Sequence, residues 1–175
     1  MLGRLRFLLP ALAIWSCSTS GGVRDYPVPE DAENPIRIEY RDGAPAAVVP
    51  IVAKVCSDVP IPTQQVDPSR GYVESRWLDI ASYRRADAQI YSLREREVYY
   101  GFQASEGEEG VGVLEITAYY QPNRPSSARA DAGSRYDRLV PTDHPAYQLL
   151  LQLEARLRTA LREAGFDLVA TGESW

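Results

Sequence analysis

The chain has 175 residues, with 19 basic against 24 acidic side chains and a formal net charge of −5. That acidic balance excludes the basic face a nucleic-acid partner requires. Two cysteines and one histidine exclude a disulfide-stapled mini-fold, a zinc site of several His or Cys ligands, and any Ser-His-Asp triad not built on that histidine.

Residues 1–22 read MLGRLRFLLPALAIWSCSTSGG. Arg4 and Arg6 precede an apolar run from Phe7 to Trp15, and Ser16-Cys17 follows at once. A positive start, a short apolar core and a small residue at the cut describe a secretory signal. The run is about half the ~20 residues of a membrane-crossing helix. With Cys directly after the small residue, the segment resembles the lipobox of bacterial lipoprotein precursors. Ile14 and Ser16 fit that pattern; Trp15 between them is bulkier than the family's usual residue. The resemblance implies removal of residues 1–16 and acylation of Cys17 at its sulfur and new amino group. It also implies attachment to the membrane through that lipid. Ser18 stands where the family's inner-membrane retention signal places Asp, which implies an outer-membrane location; the domain is expected on the periplasmic side, with the cell exterior as the alternative. A plain secretory signal cut elsewhere, with Cys17 a spectator, is the alternative. Loss of Arg4 and Arg6 would leave 17 basic and 24 acidic residues, a mature charge of −7. Acylated Cys17 would leave Cys56 as the one free thiol.

Residues 17–35 then form the lipidated Cys and a Ser-, Gly-, Pro- and acid-rich tether, too poor in apolar side chains to offset the entropy of ordering it. Residues 36–175 are expected to form one α+β domain. Ile36, Ile38 and Tyr40 alternate with Arg37 and Glu39, a half-buried strand, and Arg41-Asp42-Gly43 reads as a turn. Val48 to Cys56 reads as a second, more apolar strand, weakened by Pro50. The stretch to Gly71, with Pro60, Pro62 and Pro68, reads as irregular. Three further strands are expected. Tyr72 to Ile80 sets Val73, Ser75 and Trp77 against Tyr72, Glu74, Arg76 and Leu78. Arg94 to Gln103 sets Arg94, Arg96, Val98, Tyr100 and Phe102 against Glu95, Glu97, Tyr99 and Gly101. Val111 to Tyr120 sets Leu114, Ile116, Ala118 and Tyr120 against Val113, Glu115, Thr117 and Tyr119. An acidic, Gly-containing hairpin joins the last two.

Residues 121–142 read as an irregular loop of a length that is usually functional or disordered. One helix follows, with Asp143 as N-cap, Pro145 in the first turn and Gly165 at its end. Its stripe is Ala146, Leu150, Leu153, Leu157, Ala160 and Ala164, and Phe166 to Val169 could begin a short last strand. The fold class expected is α+β: an antiparallel sheet of about five strands packed against one long C-terminal helix.

Catalytic residues, metal ligands and cofactors are expected to be none. His144 reads as an exposed first-turn residue and Cys56 as a small core residue. Glu106, Glu108 and Glu109 occupy a solvated hairpin tip. The aromatic residues are a better lead. Consecutive pairs such as Tyr99-Tyr100 and Tyr119-Tyr120 point to opposite faces of a strand, so one of each faces away from the helix. With neighbouring arginines they outline a partner or ligand surface of Arg76, Trp77, Arg94, Arg96, Tyr99 and Tyr119.

The pattern GYVESRW, then RERE at Arg94 to Glu97 and VGVLEIT at Val111 to Thr117, resembles outer-membrane assembly accessory lipoproteins. These have a helix-grip fold, a curved antiparallel sheet holding a helix. The resemblance implies a non-catalytic accessory or scaffold that binds other envelope proteins through the sheet's outer face or the 121–142 loop. The alternative is a small-ligand or lipid carrier with a cavity between sheet and helix.

Overall fold

The computed structural model describes residues 33–59, 61–80, 96–123, 125, 127–129 and 132–169. The signal segment, Cys17, the tether up to residue 32 and Arg94 lie outside the described residues.

Strand β1 (Ile36–Arg41) follows its alternation: Ile38 and Tyr40 are buried while Arg37, Glu39 and Arg41 are exposed. Asp42, at φ 62, turns the chain into helix α1 (Pro45–Asp58). The stretch Val48 to Cys56 is therefore helical, not a strand. Its β-branched side chains favour strands, yet Val48, Val49, Val52, Val55 and Cys56 are buried together, at helical spacings. Pro45 occupies the first helical position, where no amide hydrogen is required, and Pro50 lies inside the helix at the cost of one ladder bond. Per-residue propensity differences of under ~1 kcal/mol yield to burial of a whole valine stripe, since each buried side chain contributes about 1.5–3 kcal/mol.

The Pro-rich segment, expected to be irregular, contains β2 (Thr63–Asp67). It is an edge strand, paired only with its neighbour, so it needs no continuous apolar face. A 3-10 turn, Pro68–Arg70, leads to Gly71 at φ 65. A Cβ there would stand 2.3 Å from the Ala104 carbonyl oxygen, so glycine alone fits. Next come β3 (Tyr72–Ser75), β4 (Leu78–Asp79), β5 (Glu97–Glu106), β6 (Gly112–Tyr120), β7 (Arg138–Leu139), α2 (Pro145–Glu163) and β8 (Asp167–Leu168).

The strands form one antiparallel sheet in the order β2-β3-β5-β6-β1-β8, with β4 also on β5 and β7 also on β6. The architecture is α+β with a long C-terminal helix, but among the described residues the sheet has eight strands rather than about five. A second helix, α1, packs beside α2. The expected strand Tyr72 to Ile80 divides in two. Val73 pairs with Phe102 in β3, whereas Leu78 pairs with Val98 in β4. One extra residue lies between these registers, a bulge that reverses the alternation. Trp77 thereby leaves the face of Val73 and Ser75.

Both helices cover one face of the sheet. Ile38, Tyr40, Val98, Tyr100, Phe102, Leu114 and Ile116 meet the α1 valines and Leu150, Leu153, Leu157 and Leu161 of α2 in one buried cluster. Within it, the Tyr100 hydroxyl donates to the Ala146 carbonyl at 2.9 Å. Cys56 is fully buried, and burial pushes its thiol up to about 12. The N-cap of α2 is His144 rather than Asp143. The ring is buried rather than exposed; Nδ1 accepts the Ala146 N–H at 3.1 Å, and the imidazole leans on Tyr120, 5.4 Å between ring centres. Gly165, at φ 93, lies just past the end of the helix.

Residues just before β1 are tied to the rest of the fold. Tyr147 donates to the Glu33 carbonyl at 2.9 Å. The Asn34 amide donates to the carbonyls of Ala118 and Val140 at 2.9 Å and accepts from the Ala118 N–H. Among the described residues no helix is long and apolar enough to cross a membrane.

Candidate functional site

Among the described residues, neither α1 nor α2 lies on the opposite face of the sheet. Strand alternation places Tyr72 and Glu74 of β3, Tyr99, Gly101 and Gln103 of β5, and Glu115, Thr117 and Tyr119 of β6 on it. Register aligns these side chains in rows. Tyr72 stands opposite Gln103 and Glu115; Glu74 stands opposite Gly101 and Thr117; Tyr99 stands opposite Tyr119. Gly101 contributes no side chain to the middle row, so the ring of larger residues around it encloses a hollow of about 330 Å³.

One rim of the hollow comes from the long loop. Ala132 and Gly133 line it, held by Asp137. The Tyr99 hydroxyl donates to Asp137 Oδ2 at 2.5 Å and accepts the Gly133 N–H at 3.1 Å. Gln121 Nε2 donates to Asp137 Oδ1 at 2.5 Å and to Ser134 Oγ at 2.7 Å. The loop is thus tied to the sheet through one tyrosine and one buried amide, and β7 pairs with β6 beyond them.

The walls are aromatic. Tyr99 and Tyr119 stack at 4.9 Å with 19° between planes, and Trp77 meets Tyr99 edge-on at 4.7 Å and 65°. The Trp77 indole N–H is buried and has no acceptor among the described residues. Burial, reinforced by donation to Asp137, raises the Tyr99 hydroxyl above its usual range. Burial, then donation to Glu74, does the same to Tyr72. Both remain protonated donors at neutral pH.

Glu74 is the buried carboxylic side chain of the hollow. It is only 8% exposed, and a carboxylate out of water requires compensation. Its hydrogen-bond donors are neutral: the Tyr72 hydroxyl to Oε2 and Gln64 Nε2 to Oε1. Among the described residues no cation pairs with it. Glu115 lies nearer solvent and faces Arg37 at 3.5 Å.

Of the expected surface residues, the fold brings together Trp77, Tyr99 and Tyr119. Arg96 lies beyond this cluster and forms a two-pronged contact with Asp79 at 3.1 and 2.7 Å. Arg76 is exposed at the bulge, where its amide donates to the Pro62 carbonyl. Tyr72 belongs to the aromatic lead but not to the surface outlined from the sequence, and Glu74, Gly101, Thr117 and Asp137 are additions of the fold. Glu74 had one legible signal, an acid sharing the Tyr72 face of a strand; Gly101 and Asp137 acquire their roles only through register and loop closure.

No family model matches this chain, and no curated protein does.

Proposed function

We propose that this chain is a lipid-anchored cell-envelope protein that acts as a non-catalytic accessory or scaffold, holding other envelope proteins against the outer face of its sheet. The observation that carries the reading is the aromatic hollow on the face away from the helices. A sheet face left to solvent carries polar alternation, whereas here three rings and a buried carboxylate surround an open floor. Aromatic anchors in a recess are what energetic centres of protein interfaces consist of. The anchor in this reading is the lipid on Cys17, with the outer membrane, periplasmic side, as its location.

The carrier alternative calls for room between sheet and helix. That interface is filled by Tyr100, Phe102, Leu150 and Leu153, each at most 1% exposed, and the hollow lies on the other side.

A photo-crosslinking side chain introduced at position 119, and separately at the exposed Arg156 on α2, tests the scaffold in living cells. The expected result is a reproducible adduct with one envelope protein from 119 and none from 156. Equal adducts from both positions, or none from 119, would contradict it. For the anchor, labelling with a fatty-acid analogue is expected in the native chain and absent in Cys17→Ala; persistent label would remove Cys17 from the account.

A further inference from the structure

We infer that the hollow over Gly101 receives the guanidinium of an arginine presented by a partner polypeptide, with Glu74 as its counter-charge and the tyrosine rings as its walls. This rests on the scaffold reading and adds the chemistry of the contact.

Three observations support the inference. Glu74 is more than nine-tenths buried, yet its described partners are a phenol and an amide. A carboxylate offers about four lone-pair positions, so two remain for an incoming donor. A buried charge with neutral partners alone is costly, and an opposite charge with matching hydrogen bonds offsets that cost. The walls are also suited to a cation. Tyr72, Tyr99 and Tyr119 line the hollow, and ring faces attract cations. A planar guanidinium both stacks on such rings and meets a carboxylate with two parallel N–H groups, which a lysine ammonium cannot do. Finally, Glu74 and Glu115 are the carboxylic side chains lining the hollow, and among the described residues no Arg or Lys lines it, so an anionic ligand would meet like charge.

Space permits the fit because Gly101 lacks a side chain. A Cβ there would meet nothing nearer than Tyr119 Cε2 at 3.7 Å, so a side chain can start from this position without its Cβ striking the backbone. That separates loss of space from loss of charge.

Saturation-transfer NMR on the full chain in neutral detergent provides the test, with N-acetyl-argininamide and its uncharged isostere N-acetyl-citrullinamide as probes. Saturation of the arginine probe is expected, with signal for the citrulline probe at least about tenfold weaker, the scale of a lost charge-assisted hydrogen bond. Glu74→Gln should reduce the arginine signal by a similar factor. Gly101→Val, which leaves the Glu74 hydrogen bonds in place and suits a strand, should abolish it. Circular dichroism melting checks that each variant is folded, and if Glu74→Gln is not, Gly101→Val decides. Equal signals from the two probes, or an arginine signal unchanged in either folded variant, would overturn the inference. Crosslinking from position 119 is read independently. An adduct without arginine discrimination leaves the scaffold standing and removes the guanidinium; absence of both removes the scaffold itself.

Discussion

The two faces of the sheet use the same strands and different chemistry. On one, Tyr100, Phe102, Leu114 and Ile116 interlock with two helices and are at most 1% exposed. On the other, the neighbouring residues Tyr99, Gly101, Gln103, Glu115 and Thr117 line a hollow rimmed by Ala132 and Gly133 of the long loop. Tyr99 and Tyr100 are adjacent in sequence and divide these duties: one hydroxyl pins the loop through Asp137, the other pins helix α2 through Ala146. On the proposed reading, stability belongs to the helix-covered face, and binding to the face that gives up a side chain at Gly101.

Substitutions sharpen that division. Phe102→Ala on the covered face should cost about 3–5 kcal/mol in urea unfolding, seen as a lower midpoint with little change in slope. A loss under ~1 kcal/mol would mean that the helices carry less of the core than their burial implies. Asp137→Ala should cost less, about 1–3 kcal/mol, because it strips an acceptor from Tyr99 and Gln121. Its larger signature should be faster proteolytic cutting within 124–137 than in the native chain. Unchanged cutting would detach the loop from its assigned anchor.

Alkaline pH supplies a graded contrast. The Tyr72 and Tyr99 hydroxyls are raised in the fold, so above the ordinary tyrosine value near 10 the unfolded chain loses protons that the folded chain keeps. By linkage, stability is complete below that value and falls as pH rises through it. Cys56, raised to about 12 by burial, acts in the same direction from the ordinary thiol range upward. Thermal midpoints measured from pH 8 to 11 should therefore fall, and Tyr99→Phe should flatten the decline. An identical slope in that variant would assign the loss to other groups. The smallest effect belongs to the Glu154–Arg158 pair on α2, 2.8 Å apart and four residues apart. Glu154→Ala should cost only about 0.3–0.5 kcal/mol, and a loss several times larger would place this helix surface in a tighter network.

Legibility followed the same division. Strands β5 and β6 alternate between the helix-covered face and the hollow, so their period of two assigns side chains to faces from sequence. Helix α2 announces itself by its leucine stripe and terminal Pro145 and Gly165. Helix α1 does not, because a valine run with an internal proline reads as strand locally and becomes helix only through contacts distant in sequence. The bulge before Leu78 is also silent in sequence, and it decides where Trp77 lies. Trp77, Tyr99 and Tyr119 of the aromatic site were therefore visible as residues, although the face Trp77 takes was not. The floor of the site and its charge were not, since Gly101 and Glu74 meet only through the pairing of β3 with β5.

Tyr119→Ser puts the division of labour to its most direct test, compared with Arg156→Ser on the helix side. The protein crosslinked from position 119 is followed by co-purification from solubilised envelopes, beside the thermal midpoint of each variant. The account predicts that Tyr119→Ser loses the partner while its stability falls by no more than ~1 kcal/mol, and that Arg156→Ser keeps both. Retention of the partner by folded Tyr119→Ser, or its loss in Arg156→Ser, would contradict the assignment of binding to the outer face of the sheet.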